Sequence, residues 1–340
     1  MQNNNKGFLI LERAKAQVAE STHHFKIAKE RDKLIRQYIK GDQLPEDVLT
    51  ALEERGQPKM WENLFKSMDT KIAGLKITSK TQIQAFGRQR GSDKVLANII
   101  TNILKSMQDS TEWWAHKKRA DASFRTCGIA IMSTIVKKTN EKDLLGISHK
   151  EIRHRHIPFS QSHIDPFAIA PDYSDSRYFH EERLLVIDDL YRYFSKEKVD
   201  KLQVYQEEAT QSYSNATTSL YSRRARVYYG YETIWSQKEK RDIIYYMIWS
   251  DDVILERKKL QYDISKFPVS IRRMDELDHE NPADVRGLYY NLLPIQDRIN
   301  NCHLRAIHMM GTNKMLFESD AVDDAETFIE EYSLDSAIVR

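Results

Sequence analysis

One amphipathic segment near the end of the chain constrains the fold more than any other sequence feature. Residues 294–311, PIQDRINNCHLRAIHMMG, place Pro294 at the first position of a helix and Gly311 just past its end. Apolar residues recur there at the spacing of one helix face: Ile295, Ile299, Cys302, Ala306 and Met309. Little apolar sequence follows, so we expect either a neighbouring subunit or a continuation of the natural chain to cover this stripe.

The composition is that of an ordinary soluble protein with a nearly balanced charge. Hydrophobic residues make up 41% of the 340 residues and charged residues 30%, and the formal net charge is +2. These values exclude a disordered chain and a dedicated nucleic-acid clamp. No apolar run approaches the ~20 residues of a membrane-spanning helix, and the N-terminus does not read as a secretion signal. Cys127 and Cys302 lack a metal-type spacing and are expected to be reduced, structural thiols.

The hydrophobic periodicity predicts mixed α and β structure. Asp93 suits the N-cap of a helix whose apolar stripe includes Leu96, Ile99 and Ile103. A second helix is expected to end at Gly128, before a buried strand. Residues 224–260 predict three successive antiparallel strands, whereas ERLLVIDDLYRYF, residues 182–194, is predicted as an amphipathic helix. The end of the segment 56–77 is predicted to start a strand.

Three aspartates in the stretch 156–179, HIPFSQSHIDPFAIAPDYSDSRYF, raise the question of metal chemistry. Asp165, Asp172 and Asp175 could form a carboxylate cluster for a metal-dependent nuclease, if they converged. Roles in Asx turns and caps account for the same residues more simply, because Asp165 precedes a proline and Asp172 precedes Ser174 by two positions. The structural interpretation is therefore preferred, with no metal site and no catalytic residue.

Other candidate sites are weaker. His154 and His156 share one face of a predicted strand, but no further ligand stands at a useful distance, so an exposed strand face is preferred to zinc binding. No phosphate-binding loop, dinucleotide fingerprint or nucleophile elbow is present. We expect no cofactor. The arginines and tyrosines of residues 223–231 are expected to form a cross-strand aromatic face with an arginine rim, rather than a nucleic-acid surface.

Five short segments, in order, make the chain resemble the portal proteins of tailed bacteriophages, particularly the branch of short-tailed phages. They are RGQPKMWENLFKSMDTKIAG, SDKVLANIITNIL, ADASFRTCGIAIM, HIPFSQSHIDPFAIAPDYSDSRYF and KFPVSIRRMDELDHENPADVRGLYYNLLPIQDRIN. The resemblance extends from about Arg31 to Met315. Family members continue past this region to a second stem helix, more wing and a crown.

The resemblance implies an α+β fold: a wing-like region over residues 1–280, a stem helix region over 281–315 and the acidic start of a clip over 316–340. It implies a ring, commonly of twelve subunits, that conducts double-stranded DNA during packaging and ejection. Arg298, Arg305 and Lys314 would face the channel. The apolar stripe Ile295, Ile299, Cys302, Ala306 and Met309 would form the subunit interface. Docking of partners would involve Glu318, Asp320, Asp323 and Asp324.

The implied partners are further copies of the chain, the terminase, the capsid protein and head-completion or tail adaptor proteins, with no membrane. The implied location is the portal vertex of the virion, with the host cytoplasm during assembly. Two alternatives stay open at this point. One is a metal-dependent nuclease or another DNA-processing enzyme that uses the three aspartates, and the other is an unrelated scaffold whose acidic tail binds a basic partner.

Overall fold

A computed structural model describes residues 2–54, 59–78, 83–87, 92–110, 112–142, 148–205, 223–260, 266–274 and 282–311. The chain has an α+β fold with antiparallel sheets. It divides into two compact units, one of Met1–Gly41 and Asn63–Leu293 and the other of Asp42–Glu62 and Pro294–Arg340.

The first unit opens with two helices that lead to the sheets. Helix α1 spans Gln2–His24 and α2 spans Lys26–Lys40. Gly41 ends α2 with a positive φ of 111°, a conformation that favours glycine, and its N–H donates to the Gln37 and Tyr38 carbonyls.

Three further helices of the first unit precede its first strand. They are α4 (Leu64–Thr78), α5 (Ser92–Ser110) and α6 (Trp113–Cys127). The strand expected at the end of residues 56–77 is wrong, because α4 continues through Thr78. Helix α5 begins at Ser92, so Asp93 lies in its first turn rather than at the cap. Gly128 ends α6 with a φ of 81°, as expected.

Two antiparallel sheets form the centre of the first unit. The three-stranded sheet has the order β2 (Ser148–His156), β1 (Ile129–Lys142), β8 (Val269–Arg273). The five-stranded sheet has the order β3 (Ser162–Ile164), β4 (Tyr178–Val186), β5 (Arg224–Ser236), β6 (Arg241–Ser250), β7 (Val253–Lys259). The three successive strands predicted for residues 224–260 are thereby confirmed.

The helix predicted for residues 182–194 is wrong. Its first half belongs to β4, which pairs with β5 from Tyr178 opposite Glu232 to Val186 opposite Arg224. Only a short helix α7 (Ile187–Leu190) follows, and a second short helix α8 covers Lys196–Val199. The run of apolar residues at 184–187 fits a helix face as well as a strand that is covered on both sides, and pairing with β5 decides between them.

The main core lies between the two sheets. Ile129, Ile131 and Ile271 of the three-stranded sheet pack with Phe179, Tyr231 and Ile244 of the five-stranded sheet in one cluster of buried residues. Helix α1 covers the opposite face of the five-stranded sheet, where Leu11 and Ala14 contact Tyr228, Met247 and Trp249. The five-stranded sheet is therefore buried on both faces.

The second unit, over the part the structure describes, contains α3 (Glu46–Glu54) and all but the first residue of α9 (Leu293–Gly311).

Candidate functional site

The helix expected at residues 294–311 is present as α9. It begins one residue earlier than predicted, at Leu293, and Gly311 is its last helical residue. At 1.5 Å per residue its 19 residues span about 28 Å. A turn of 3₁₀ helix, Tyr290–Leu292, leads directly into it, and the Leu293 N–H donates to the Tyr289 carbonyl at 3.2 Å.

Polar side chains on one side of α9 make its contacts within the second unit. The Nε2 of Gln296 donates to the Glu62 carbonyl at 2.6 Å and to the Oδ1 of Asn300 at 3.0 Å. The Nδ2 of Asn300 in turn donates to the Oε1 of Gln43 at 2.9 Å. Gln296 and Asn300 are each only 2% exposed. Since a buried amide without partners costs about 1–3 kcal/mol, this series of amides fixes the inner side of the helix.

The apolar stripe lies on a different side of α9 and is largely exposed. Ile295 is 54% exposed and Met309 is 75% exposed. Cys302 and Ala306 are also exposed, and Ile299 is half-buried. Cys302 is therefore not a structural core thiol, in contrast to Cys127, whose burial raises its pKa to about 12. The assignment of this stripe to a subunit interface stays a prediction.

The arginines of α9 form a third side. Arg298 and Arg305 are both exposed and stand seven residues apart, so they lie within about 20° of each other around the helix. At about 100° per residue, they are roughly 70° from the centre of the apolar stripe. Lys314, Glu318, Asp320, Asp323 and Asp324 lie outside the described residues. Their predicted channel and docking roles are therefore untested.

A buried charged network anchors the segment before α9 within the first unit. The Oδ1 of Asp69, on α4, accepts hydrogen bonds from the Nε of Arg125 and the hydroxyl of Tyr289, each at 2.8 Å. Burial would raise the pKa of Asp69, but these two hydrogen bonds outweigh it and hold the pKa below its usual value. Burial and the bond to Asp69 raise the pKa of Tyr289, so it stays a protonated donor.

Two glycines let the same segment approach the end of α6 closely. A Cβ on Gly287 would lie 2.2 Å from the Thr126 carbonyl oxygen, and one on Gly128 would lie 2.1 Å from the Arg286 carbonyl oxygen. The Leu288 N–H donates to the Arg125 carbonyl at 2.9 Å. Arg31 adds an ion pair with Asp284 at 2.9 Å. Residues 284–289 are therefore held along the end of α6.

Sequence comparison gives these elements a family. Residues 16–340 match the family model described as phage P22-like portal protein. The chain belongs to this portal protein family. A relative from Helicobacter pylori bacteriophage KHP30, named "Portal protein", is 27% identical over 308 residues, which cover 90% of this chain and 47% of the relative. The chain thus spans about half the length of the curated relative it matches. Portal proteins are a structural family without enzymatic function.

The three aspartates of this portal protein organise a loop. The Oδ1 and Oδ2 of Asp165 accept from the Phe167 and Arg177 N–H groups at 3.0 and 2.9 Å. The carboxylate of Asp175 accepts from the Ile169 N–H at 2.8 Å and from the Ala170 N–H at 3.2 Å.

The third, Asp172, accepts from the Ser174 N–H at 3.2 Å and pairs with Lys266 at 3.1 Å. Hydrogen bonds from Ser174 and Lys266 lower its pKa to about 2. The interpretation of Asp165 and Asp172 as turn and cap residues is confirmed. Among the described residues, no group of three or more His, Cys, Asp or Glu is placed to hold a metal ion, so the nuclease alternative has no support there.

The two strand histidines also have structural partners. His154 packs edge-on against Trp113 and lies 3.1 Å from the Thr134 hydroxyl. The Nε2 of His156 lies 3.0 Å from the Ser123 hydroxyl, and burial and nearby cations, Arg36 first among them, lower its pKa to about 4. The face is less exposed than expected, because α6 covers it.

Tyr231 contacts Tyr246 on the neighbouring strand, as expected for a cross-strand aromatic face, but the arginines over the tyrosines of the sheet come from β4 and β7 rather than from residues 223–226. The Arg183 guanidinium lies 4.2 Å from the centre of the Tyr229 ring, and that of Arg257 lies 4.4 Å from the centre of the Tyr245 ring.

Over the described residues, none of the helices combines the length and the apolar character that a membrane span requires.

Several of the residues that hold these segments carried no sequence signal. Asp69, Arg125 and Tyr289 are isolated in the sequence, and Asp69 and Tyr289 are separated by 220 positions. Gln43 is also remote from its partner, because it accepts a hydrogen bond from Asn300, which is 257 positions away in the sequence. The resemblance was the available signal, because its segments contain Asp69, Arg125, Tyr289, Gln296 and Asn300.

Proposed function

We propose that this chain is a subunit of a portal ring at one vertex of a phage capsid, through which the genome is packaged and ejected. Family membership supports this proposal, together with the three-sided character of α9. Its amide side is occupied by hydrogen bonds to Gln43 and Glu62, which leaves the apolar stripe and the arginines exposed. In a ring, one exposed side of a stem helix would contact the next subunit and the other would face the channel.

The apolar stripe would form the subunit interface of the stem. Ile295, Ile299, Cys302, Ala306 and Met309 would pack against the next copy, which would remove from water a stripe that one chain leaves largely exposed. A ring closes when one heterologous contact of this kind is repeated around an axis. By resemblance to the family, twelve copies are expected.

The arginine side would face the channel. Arg298 and Arg305, together with Lys314, would give each subunit a small number of cations directed at passing DNA. A strongly basic wall would bind phosphates by counterion release and stall a moving duplex, and the formal net charge of +2 avoids this. A few cations per subunit would centre the duplex without trapping it.

The remaining regions complete the proposed assignment. Residues 1–280 would form the wing-like region, 281–315 the stem region and 316–340 the start of the clip. The acidic residues Glu318, Asp320, Asp323 and Asp324 would contribute to docking of the terminase and of head-completion or tail adaptor proteins. The capsid protein would contact the assembled ring. The protein would reside in the virion, and in the host cytoplasm during assembly.

The test is the mass and shape of the purified full-length natural chain, by light scattering and negative-stain electron microscopy. Rings of about a dozen subunits with a central hole are expected. Ile295→Asp should weaken assembly, because it places a charge in the stripe, whereas Asn301→Asp, an exposed polar position on the same helix, should not. A wild-type protein that stays monomeric at all concentrations would contradict the proposal.

A further inference from the structure

Helix α5 exposes the side that its sequence would be expected to bury. Its stripe residues Val95, Leu96, Ile99, Ile100 and Ile103 are 64%, 56%, 50%, 40% and 53% exposed. The side directed to its own chain carries few large apolar residues: Leu104 is half-buried, Ala97 and Thr101 are buried, and the Thr101 hydroxyl donates to the Ala97 carbonyl at 2.8 Å.

This orientation is unfavourable for an isolated chain. Rotating α5 would exchange a buried alanine and threonine for isoleucines and a leucine, which gain more from leaving water. A surface that covers the stripe in an assembly would make the observed arrangement favourable, because apolar area is then buried on both sides of the helix.

A second exposed apolar segment lies against another side of the helix. The Ala85 N–H donates to the Thr101 hydroxyl at 3.0 Å, so residues 83–87 lie alongside α5. Ile83 and Phe86 of this segment are 42% and 83% exposed. The five side chains of the stripe alone present on the order of 500 Å² of apolar surface, the size of the largest, often functional, patch of a typical monomer.

The charge pattern indicates the kind of partner. Residues 95–104, VLANIITNIL, contain no charged residue. Surfaces that bind soluble partners reversibly keep a polar composition, whereas permanent interfaces between identical subunits are more apolar and are depleted of charge. The α5 surface is of the second type.

We infer that α5 is a second inter-subunit contact, formed with a neighbouring copy of this chain in the wing-like region of the ring. The inference rests on the proposed ring and adds a contact separate from the α9 stripe. A ring held at two separate surfaces resists shear better than one held at the stem alone, since each neighbour is then fixed in position and orientation.

The test uses the full-length natural chain and a matched pair of double variants. Ile99→Asp with Ile103→Asp places two charges in the stripe, and Asn98→Asp with Asn102→Asp places the same two charges at exposed polar positions of the same helix. The isoleucine variant should need at least a tenfold higher concentration to form rings, while the asparagine variant should assemble like wild type. Matching circular dichroism spectra of the monomers establish that both variants fold.

A labelling experiment gives a readout that does not depend on those charges. Ile99→Cys should react with a maleimide at least tenfold more slowly in rings than in monomers, and Lys238→Cys, at the exposed turn between β5 and β6, should react equally in both. The labelled site is identified by peptide mass spectrometry.

The outcomes separate the inference from the proposed function. Two results together would overturn the α5 contact and leave the portal proposal intact: rings that form normally from the double isoleucine variant, and a thiol that stays fully reactive in rings of Ile99→Cys. The surface would then serve a different protein. Wild-type protein that never forms rings would overturn both the α5 contact and the portal proposal.

Discussion

Two glycines decide how closely the segment before α9 approaches the end of α6. Replacing Gly287 by alanine would place a Cβ 2.2 Å from one backbone oxygen and 2.6 Å from another, those of Thr126 and Arg125. These are backbone atoms of a helix end, which cannot turn away as a side chain can. Gly287→Ala should therefore lower the free energy of unfolding by about 1–3 kcal/mol or more.

The matched control is Gly74→Ala in α4, where a Cβ would meet nothing within 4 Å. That substitution should be neutral or stabilising by up to about 1 kcal/mol, because alanine favours a helix interior. Urea unfolding followed by circular dichroism compares the two variants. Equal stability for both would mean that the close approach of residues 286–287 to α6 is absent in solution.

His180 makes stability depend on pH. It is fully buried beneath α1, where its Nε2 lies 2.9 Å from the Oε1 of Gln17, its ring meets Trp249 edge-on, and burial lowers its pKa to about 3. The unfolded chain binds a proton at this histidine below a pH of about 6.5, whereas the folded chain does not. The free energy of unfolding should therefore fall as the pH decreases from about 6.5 towards 3, by up to about 1.4 kcal/mol per pH unit.

The measurement is the slope of the unfolding free energy against pH, for wild type and for His180→Gln. The glutamine variant should show a shallower slope between pH 6.5 and 4.5, whatever its absolute stability. An unchanged slope would mean that His180 is protonated in the folded protein. A Cβ on Gly230 would lie 2.3 Å from its Nδ1, so the glycine is what makes room for the ring.

At the scale of elements, the loop between β3 and β4 depends on carboxylates rather than on a metal. Asp165 is 6% exposed and binds two backbone N–H groups that are 10 residues apart, at 3.0 and 2.9 Å. Asp165→Ala would leave both groups without this acceptor and should cost about 1–3 kcal/mol.

Asp172→Ala in the same loop is the control. Hydrogen bonds from Ser174 and Lys266 hold its pKa near 2, but Asp172 is exposed, and exposed ion pairs contribute little. Its loss should change stability by less than about 1 kcal/mol. Thermal unfolding with and without Mg²⁺ measures both effects. Stabilisation by Mg²⁺ that disappears in Asp165→Ala would contradict the structural role and revive the metal-site alternative.

Sequence patterns predicted the helices and strands in which the spacing of apolar residues agrees with their burial in the structure. The β5–β7 strands are bounded by turns, and α9 has Pro294 in its first turn and Gly311 at its last position, so local rules identify them. The prediction failed for β4, where Leu184, Leu185 and Val186 are consecutive and no alternation shows. Only the pairing with β5, which is remote in sequence, selects the strand.

The α5 stripe shows a different limit. Its periodicity predicted the helix correctly, but periodicity reports only that one side is apolar, not what covers it. Local periodicity likewise predicted only part of the candidate site on α9. Arg298, Arg305 and the α9 stripe follow from helical spacing, while Gln43 and Asp69 enter through long-range hydrogen bonds that no local pattern encodes. Recognition of the family depended on the order of several short segments rather than on any single one.

At the scale of the whole assembly, the cations of α9 would act through repetition. Arg298 and Arg305 are exposed and lie away from the apolar stripe, so replacing both with alanine removes charge from every subunit without altering the proposed interface. Rings of Arg298→Ala with Arg305→Ala should therefore form normally. They should package or retain several-fold less DNA than wild type, because fewer phosphates are neutralised along the channel.

The dependence on salt distinguishes a channel role from a general loss of charge. DNA retention by wild-type particles should fall steeply as salt increases, and the double variant should show a shallower decline, because the slope follows the number of phosphate contacts. Lys238→Ala removes an exposed cation from the β5–β6 turn and should change neither the amount of DNA retained nor the slope. If the arginine variant behaves like Lys238→Ala, the arginines do not face DNA, and a different side of α9 faces the channel.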